Sequence, residues 1–245
     1  MTDNCGTKQA GPLPGPHAQV LSYGVHAKEP GVERDNRAFA RTSSATRIPV
    51  TIRGQQTRAT LIDAAAKVFV THGFLKTKIT DITTAAGVAS GSFYTYFDSK
   101  EAIFRAVIDN VVDRMFIRVE VPPGAGTAPY ARIEHATRSY VEAYRQEAPL
   151  MAILEQVATF NPEFRDMRRH VRKVNRDRVE RGIRRFQEAG VVPADLPPKY
   201  AADALTSMVS NFCYMWIVFD EDYEDETAIK VLSRLWAQAL GIQVD

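Results

Sequence analysis

The sequence predicts an all-α protein, in which a unit of short helices near the N-terminus is joined by a longer helix to a second helical region. From Gln55 onward, apolar residues recur at spacings of three and four, the period of one helix face. No stretch of useful length alternates apolar and polar residues, so the pattern does not predict strands. Gly and Pro residues separate the periodic stretches and mark the ends of helices.

Residues 1–52 differ in composition from the rest of the chain. They are rich in Pro, Gly and charged residues, as in GPLPGPHAQ and AKEPGVERDNR, and their apolar residues follow no period. Such a segment cannot bury enough apolar surface to offset the entropy that is lost on ordering. We therefore expect residues 1–52 to form a disordered N-terminal extension.

The first predicted helix covers residues 55–74. It carries one apolar stripe and ends at Gly73, a residue type that is common at helix C-termini. The stripe consists of Leu61, Ala64, Ala65, Val68 and Phe69. This face of the helix is therefore expected to pack inward.

Two short helices are expected next. Thr77 can cap the first of them, 78–86, because its hydroxyl can accept a hydrogen bond from a free backbone N–H group. Gly87 then turns the chain, and the next helix covers 90–97. Two short helices joined by a glycine turn and braced by a third form the helix-turn-helix pattern.

A longer fourth helix, 100–116, is predicted to begin at a cap supplied by Asp98 or Ser99 and to leave the first three helices behind. The Pro- and Gly-rich stretch VPPGAGTAP, at 121–129, marks a break after it. The helices predicted beyond this break cover 131–148, 149–160, 162–189, 199–219 and 227–240.

Composition limits the possible classes of function. The formal net charge of this 245-residue chain is +2, so any basic surface that attracts nucleic acid must be local. Two cysteines exclude a disulfide framework and a cysteine-rich zinc site, and they suit a reducing cytoplasm. No apolar run approaches the roughly 18 residues that span a bilayer. We predict a cytoplasmic protein without a membrane partner.

The helix at 90–97 has residue types that suit a DNA-reading helix. Its leading residues, 90–92, are Ser, Gly and Ser, which allow the backbone to approach DNA and offer hydroxyls to bases or phosphates. Phe93 and Phe97 lie four residues apart, so both can point into the core. The alternative for Gly91 is that it merely provides packing clearance inside the protein.

Phosphate contacts are expected beside this helix. Tyr94 and Tyr96 lie off the inward stripe, and their hydroxyls can reach phosphates. Lys100 begins the following helix, where its amine can add to the anion attraction of a helix N-terminus. Local charge agrees with this interpretation, since the segment 53–105 contains seven Lys and Arg residues against four Asp and Glu residues.

The segment 55–105 resembles the DNA-binding domain of the TetR family of transcriptional regulators. The resemblance is carried by THGF and by TKITDITTAAGVASGSFYTYFDSKEAIF, in the family's order and spacing. It implies that 90–97 is the recognition helix on double-stranded DNA. With Gly91 added for its small size, the predicted DNA-binding residues are Lys78, Thr80, Ser90, Gly91, Ser92, Tyr94, Tyr96 and Lys100. Ala89 departs from the hydroxyl residue that many members carry, so Ser90 is expected to take the cap.

For residues 101–245 the resemblance implies an all-helical regulatory domain that dimerises and often binds a small molecule. In TetR-like proteins the last two helices commonly pair with their copies, and two-fold symmetry suits a palindromic operator. The predicted homodimer interface consists of Leu205, Phe219, Leu232, Leu235, Trp236 and Ala239. The alternative is that these apolar faces pack within one chain.

Aromatic and flexible apolar residues in this region favour a pocket for a hydrophobic ligand. The predicted pocket residues are Tyr140, Tyr144, Met151, Leu154, Phe160, Met208, Phe212 and Trp216. A plain core fits the same stripe.

The helix at 162–189 is strongly basic, with ten Lys and Arg residues between 165 and 185. Because Asp166, Asp177 and Glu180 are interleaved with them, the pattern predicts a solvated, ion-paired face. The alternative is a surface for an anionic head group, such as the phosphates of an acyl-CoA.

No catalytic, cofactor or metal site is predicted. The histidines are far apart in sequence, and there is no P-loop or nucleophile elbow, so an enzyme is not expected. The arginines of the N-terminal extension can enter a minor groove or belong to a flexible tail.

These observations predict a dimeric, ligand-responsive, DNA-binding transcriptional regulator. The expected parts are an extension, 1–52, a helix-turn-helix DNA-binding domain, 53–100, and a ligand-binding and dimerisation domain, 101–245. A repressor would leave its palindromic operator when a hydrophobic small molecule, such as an acyl-CoA-like or other lipophilic ligand, binds. The alternative is a helical small-molecule-binding or interaction protein whose helix-turn-helix no longer reads a specific sequence.

Overall fold

The computed structural model describes Pro49, residues 51–117 and residues 128–244. Every regular element in these ranges is helical, so the all-α prediction is confirmed for them. The predicted extension 1–52 lies almost wholly outside the described residues, and so does most of the predicted break at 121–129.

The described residues form eight α-helices. These are α1 Ile52–Lys76, α2 Ile79–Ala86, α3 Ser90–Tyr96, α4 Lys100–Val112, α5 Pro129–Ala158, α6 Pro162–Glu188, α7 Pro198–Cys213 and α8 Asp225–Ala239. Two π-helical turns, Asp113–Ile117 and Tyr214–Val218, continue α4 and α7. No described helix is both long and apolar enough to cross a bilayer.

The end of α1 is shaped by Gly73. Its φ of 71° and ψ of 164° are not helical, so the chain kinks at the predicted glycine and adds three more residues before α1 ends. The hydroxyl of Thr77 donates to the Gly73 carbonyl at 2.7 Å. The predicted Thr77 cap for α2 is therefore wrong. Lys78 is the N-cap residue, and its backbone N–H donates to the Asp81 carboxylate at 2.8 Å.

A single helix, α5, replaces the two that were predicted on either side of Pro149. A proline inside a helix leaves the carbonyl four residues earlier without its helical partner. Pro149 lies on the exposed side of α5, where water can satisfy that carbonyl. Its neighbours Ala148, Leu150 and Met151 are buried, so packing on the other side maintains the helix.

One continuous core joins the first four helices to the helices that follow. Phe164, at the start of α6, is fully buried against the first unit. Its ring lies 4.8 Å from that of Phe74 in α1 and 5.3 Å from that of Phe104 in α4, centroid to centroid. The contact is supported at its edge by an ion pair between Arg105 and Glu163, at 2.9 Å.

A second, smaller cluster lies among α5, α6, α7 and α8. It contains Ile133, Ile183, Val192, Ala202, Leu205, Ala237, Leu240 and Ile242. Helices α5 and α8 are also joined at the surface by two paired contacts. Arg138 binds Glu226 at 2.6 and 2.8 Å, and Arg145 binds Asp225 at 2.6 and 3.0 Å.

Candidate nucleic-acid interface and internal cavity

Helices α2 and α3 meet at a glycine turn, as the helix-turn-helix pattern predicts. Gly87 adopts the left-handed conformation, with φ 67° and ψ 30°, and its N–H closes the end of α2. Ile82 and Phe93 are fully buried, and Phe97 is 1% exposed, so the inward stripe of α3 is confirmed. This packing fixes which face of α3 remains outside.

The outer face of α3 is small and polar except for one ring. Ser90, Gly91 and Thr95 are exposed, and Tyr94 is 57% exposed. Ser92 and Tyr96 are half-buried along the edge of that face. Thr95 was not among the predicted contacts, although its position four residues after Gly91 places it on the same stripe.

Gly91 has no structural requirement within the protein. A Cβ atom at this position would meet no heavy atom within 4 Å, and Gly91 is not among the glycines with positive φ. Glycine loses more conformational freedom on folding than any other residue, so stability does not favour it in the first turn of α3. The packing-clearance alternative for Gly91 is therefore excluded, and its small size is available to something outside the chain.

The N-terminus of α3 lacks a side-chain cap. Ala89 is the N-cap residue, and no side chain bonds there. The Ser90 hydroxyl lies 3.4 Å from that of Thr83. The expectation that Ser90 caps the helix is therefore wrong, because its hydroxyl turns towards α2.

Lys78 and Thr80 are exposed at the start of α2, beside the turn. Lys100 is placed differently. Its amine donates to the carbonyls of Phe74 at 2.8 Å and Thr77 at 2.9 Å, and it lies 4.5 Å from the centre of the Phe74 ring. The amine thus satisfies carbonyls at the end of α1 and binds α4 to it, while its predicted phosphate contact stays a prediction.

Arg58 of α1 adds a cation next to α3. Its guanidinium lies 5.1 Å from the centre of the Phe97 ring. Burial lowers the pKa of Arg58, and the nearby carboxylate of Asp109 opposes that shift. Arg58 therefore stays charged and connects α1 to the end of the predicted recognition helix.

A partly open cavity of about 150 Å³ lies among α5, α6, α7 and α8. Its lining consists of Arg132, Ile133, Ala136, Thr137, Tyr140, Asn175, Arg178, Val179, Gly182, Ile183, Arg185, Phe186, Thr206, Val209, Trp236 and Leu240. Tyr140 is the predicted pocket residue that lines it, and its hydroxyl lies 3.0 Å from that of Ser210. Burial raises the pKa of Tyr140, so it is a neutral phenol.

The other predicted pocket residues lie elsewhere. Tyr144, Met151 and Leu154 of α5 are buried in the main core. Trp216, in the π-helical turn Tyr214–Val218, is buried in the same core. Met208 and Phe212 are half-buried against it, and Phe160 is 54% exposed at the end of α5.

The predicted dimer residues separate into two groups. Leu205 and Leu232 are buried within the chain, and Trp236 is half-buried and borders the cavity. Phe219, at 59% exposure, and Leu235, at 47%, remain on the outside with the exposed Ala239. Helical spacing alone did not separate the inward from the outward half of these broad apolar faces.

The described residues contain no group of three His, Cys, Asp or Glu side chains that could hold a metal ion. On α6, ion pairs join Arg169 to Asp166, Lys173 to Asp177, and Arg184 to Glu180. The predicted ion pairs of this helix are therefore confirmed, whereas Arg178 and Arg185 border the cavity instead of belonging to a purely solvated face.

The sequence matches a family at this helix-turn-helix. The pattern of the family described as bacterial regulatory proteins, tetR family, matches residues 61–107. The HTH-type transcriptional regulator YdgC of Bacillus subtilis is 28% identical over 196 residues, which cover 78% of this chain and 93% of that protein. The chain belongs to the TetR family.

Two further comparisons place this TetR-family transcriptional regulator among relatives. The HTH-type transcriptional repressor KstR2 of Rhodococcus jostii is 30% identical over 123 residues, 45% of this chain, and the match spans 60% of that repressor. GusR of Salmonella enterica shares the fold with a TM-score of 0.65 at 20% identity, over 78% of this chain and 98% of GusR.

The fold is also that of a regulator solved with a ligand. FadR of Bacillus subtilis, in complex with stearoyl-CoA, matches with a TM-score of 0.60 at 18% identity, over 74% of this chain and 98% of FadR. At this identity the likeness concerns the TetR-family fold alone.

Proposed function

We propose that this TetR-family regulator is a homodimeric repressor that reads a palindromic operator and is released by a small hydrophobic molecule. The exposed small-residue face of α3, with Gly91 at its centre, is the observation that carries the DNA-reading part. A helix whose glycine serves no purpose inside the chain suits close approach to base edges in a major groove. The contacts are those predicted from the sequence, with Thr95 added.

In this proposal the helix-turn-helix domain comprises 53–100 and the regulatory domain 101–245. The extension 1–52 precedes them. Tyr94 and Tyr96 bind phosphates on either side of the helix that reads the bases. Lys78 and Thr80, both exposed at the start of α2, add contacts to the sugar-phosphate backbone.

Dimerisation is supported by the outer face of the last elements. Met215, Phe219, Val231 and Leu235 are large apolar side chains between 38% and 59% exposed, and Ala239 is exposed beside them. Exposed apolar side chains of this size suit a protein–protein interface. Pairing α7 and α8 with their copies would cover it and would give the two-fold symmetry that an inverted repeat requires.

Release by an effector is supported by the cavity and by α6. This helix carries Phe164 against the DNA-binding unit, and about two dozen residues later Phe186 borders the cavity. At 1.5 Å per residue, α6 links the two places over roughly 30 Å. A molecule that fits better when α6 is displaced would favour a dimer whose recognition helices no longer match the operator spacing.

The test is selection of duplexes from a random pool, followed by titration at several salt concentrations. We expect an inverted repeat to be selected, with an affinity that falls steeply as salt rises. Tyr94→Ala is expected to abolish retention of that duplex, whereas Leu75→Ala, at an equally exposed position, keeps it. Equal affinity for selected and random duplexes would contradict the proposal and favour a helical binding protein that no longer reads sequence.

A further inference from the structure

The cavity has features that select the chemistry of its occupant. Its volume of about 150 Å³ is the size that holds a molecule such as benzene in a protein interior. Ile133, Ile183, Phe186, Val209 and Leu240 give it largely apolar walls. An apolar body of about six carbon atoms therefore matches this volume.

Asn175 supplies a polar group inside this apolar space. The residue is only 6% exposed, and it belongs to the lining of the cavity. An amide can both donate and accept hydrogen bonds. A molecule bound in the cavity is therefore in the right place to exchange hydrogen bonds with Asn175.

The charge around the cavity has one sign. Arg132, Arg178 and Arg185 belong to the lining, and the described residues that line the cavity include no Asp or Glu. Burial, followed by repulsion from Arg181 and Arg185, lowers the pKa of Arg178. Arg132 additionally lies 5.1 Å from the centre of the Phe186 ring, so a cation stands directly beside an apolar wall. Guanidinium groups form strong, charge-assisted hydrogen bonds with a carboxylate, so the lining suits an anion.

We propose that the effector is a small carboxylate whose apolar body has about the size of a benzene ring. The carboxylate binds among Arg132, Arg178 and Arg185, and the apolar body fills the space between α5 and α6. The side-chain amide of Asn175 forms a hydrogen bond with the bound molecule. This inference rests on the proposed effector-released repressor and narrows its ligand class.

Isothermal titration of the full chain with benzoate and hexanoate tests the chemistry. We expect saturable binding at millimolar concentrations, and at least tenfold weaker binding of benzyl alcohol, which has the same ring without the charge. The inference fails if benzoate and hexanoate give no saturable heat or if benzyl alcohol binds equally well.

Gly182→Leu tests the location of the site. Around a Cβ at position 182 the nearest heavy atom is the far end of Arg185, at 4.0 Å, so the new side chain fits and occupies the cavity. Because leucine is also the better helix former, the melting temperature should stay equal or rise while benzoate binding is lost. Retained benzoate binding in a folded variant would overturn the location.

Arginine variants test the charge. Arg132→Gln combined with Arg185→Gln should weaken benzoate at least tenfold and leave benzyl alcohol unchanged. Arg184→Gln is the matched control, since Arg184 is paired with Glu180 and does not line the cavity. Equal affinities of the double variant and the control for benzoate would refute the anion site. If the benzoate experiments refute the anion site while operator binding is intact, only the ligand class is wrong and the proposed repressor function is unaffected.

Discussion

A substitution at Gly91 distinguishes the requirements of folding from those of DNA binding. Gly91→Ala is expected to keep or raise the free energy of unfolding, since alanine leaves the unfolded chain less conformational freedom than glycine does and the methyl group meets open space. The same methyl group should lower operator affinity at least about tenfold, because it holds α3 away from the base edges. Thermal melts and fluorescence anisotropy measure the two effects. Unchanged operator affinity would show that position 91 is not close to DNA.

Lys100 has two possible roles that one variant distinguishes. Three hydrogen bonds run from its amine to carbonyls at the end of α1, to Phe74, Leu75 and Thr77. We expect Lys100→Met to lower the free energy of unfolding by about 1–2 kcal/mol, as hydrogen bonds to a charged, half-buried group suggest. Lys76→Met, at an exposed neighbour, is the control for charge alone. A variant that keeps full stability and loses only operator affinity would favour the phosphate contact instead.

Single residues also show which features could be predicted from the sequence and which could not. Phe93 and Phe97 could be predicted as core from their spacing, because a short helix packed on one side has one inward stripe. Asn175 could not be predicted. Its burial depends on how α5, α6 and α7 meet, and nothing in the local pattern VRKVNRDRV distinguishes it from the solvated residues around it.

Among the helices, boundaries set by local chemistry were predictable. Ser99, one of the two predicted caps, accepts a hydrogen bond from the Ala102 N–H at 3.1 Å, and α6 ends just before Gly190, with φ 70°. Pro149 led to the wrong prediction of two helices, because tertiary packing can maintain one helix through a proline although the proline costs one hydrogen bond. The choice between one helix and two was therefore made by the core, which sequence periodicity does not describe.

Helix α6 offers a direct test of the connection between the two regions. Phe164→Ala is expected to lower the free energy of unfolding by about 3–5 kcal/mol, because it removes the ring between Phe74 and Phe104. We expect the two regions to unfold in one transition in the wild type and in two transitions in this variant. Both tryptophans lie in the regulatory region, so their fluorescence reports that part while far-UV circular dichroism reports the whole chain. Denaturant titrations followed by both signals make the measurement.

The matched control for this experiment is Ile183→Ala. It also removes a buried side chain of α6, at 2% exposure, but in the smaller cluster away from the first unit. We expect a comparable loss of stability, about 2–5 kcal/mol, with coincident transitions. If the two variants behave alike, Phe164 has no special part in joining the regions.

For the molecule as a whole, the sequence located the DNA-reading end better than the effector end. The helix-turn-helix depends on contacts between residues close in sequence, from α1 to the start of α4, so its motif carries most of the geometry. The cavity depends on four helices that are far apart in the chain. Tyr140 was predicted to line it, but the arginines of α6 that border it were expected to face solvent, because periodicity alone does not say which helices are neighbours.

The proposed homodimer interface can be tested by placing a charge on it. Leu235→Glu places a charge in the centre of the exposed apolar face of α8, where burial against a partner would cost several kcal/mol. We expect this variant to be a folded monomer by analytical ultracentrifugation, since position 235 is 47% exposed in the single chain. Operator affinity should fall about a hundredfold or more with the loss of bivalent binding, while affinity for a half-site is retained. Leu75→Glu makes the same exchange at a leucine 64% exposed on α1 and should remain dimeric. A dimeric Leu235→Glu protein would contradict the proposed interface on α7 and α8.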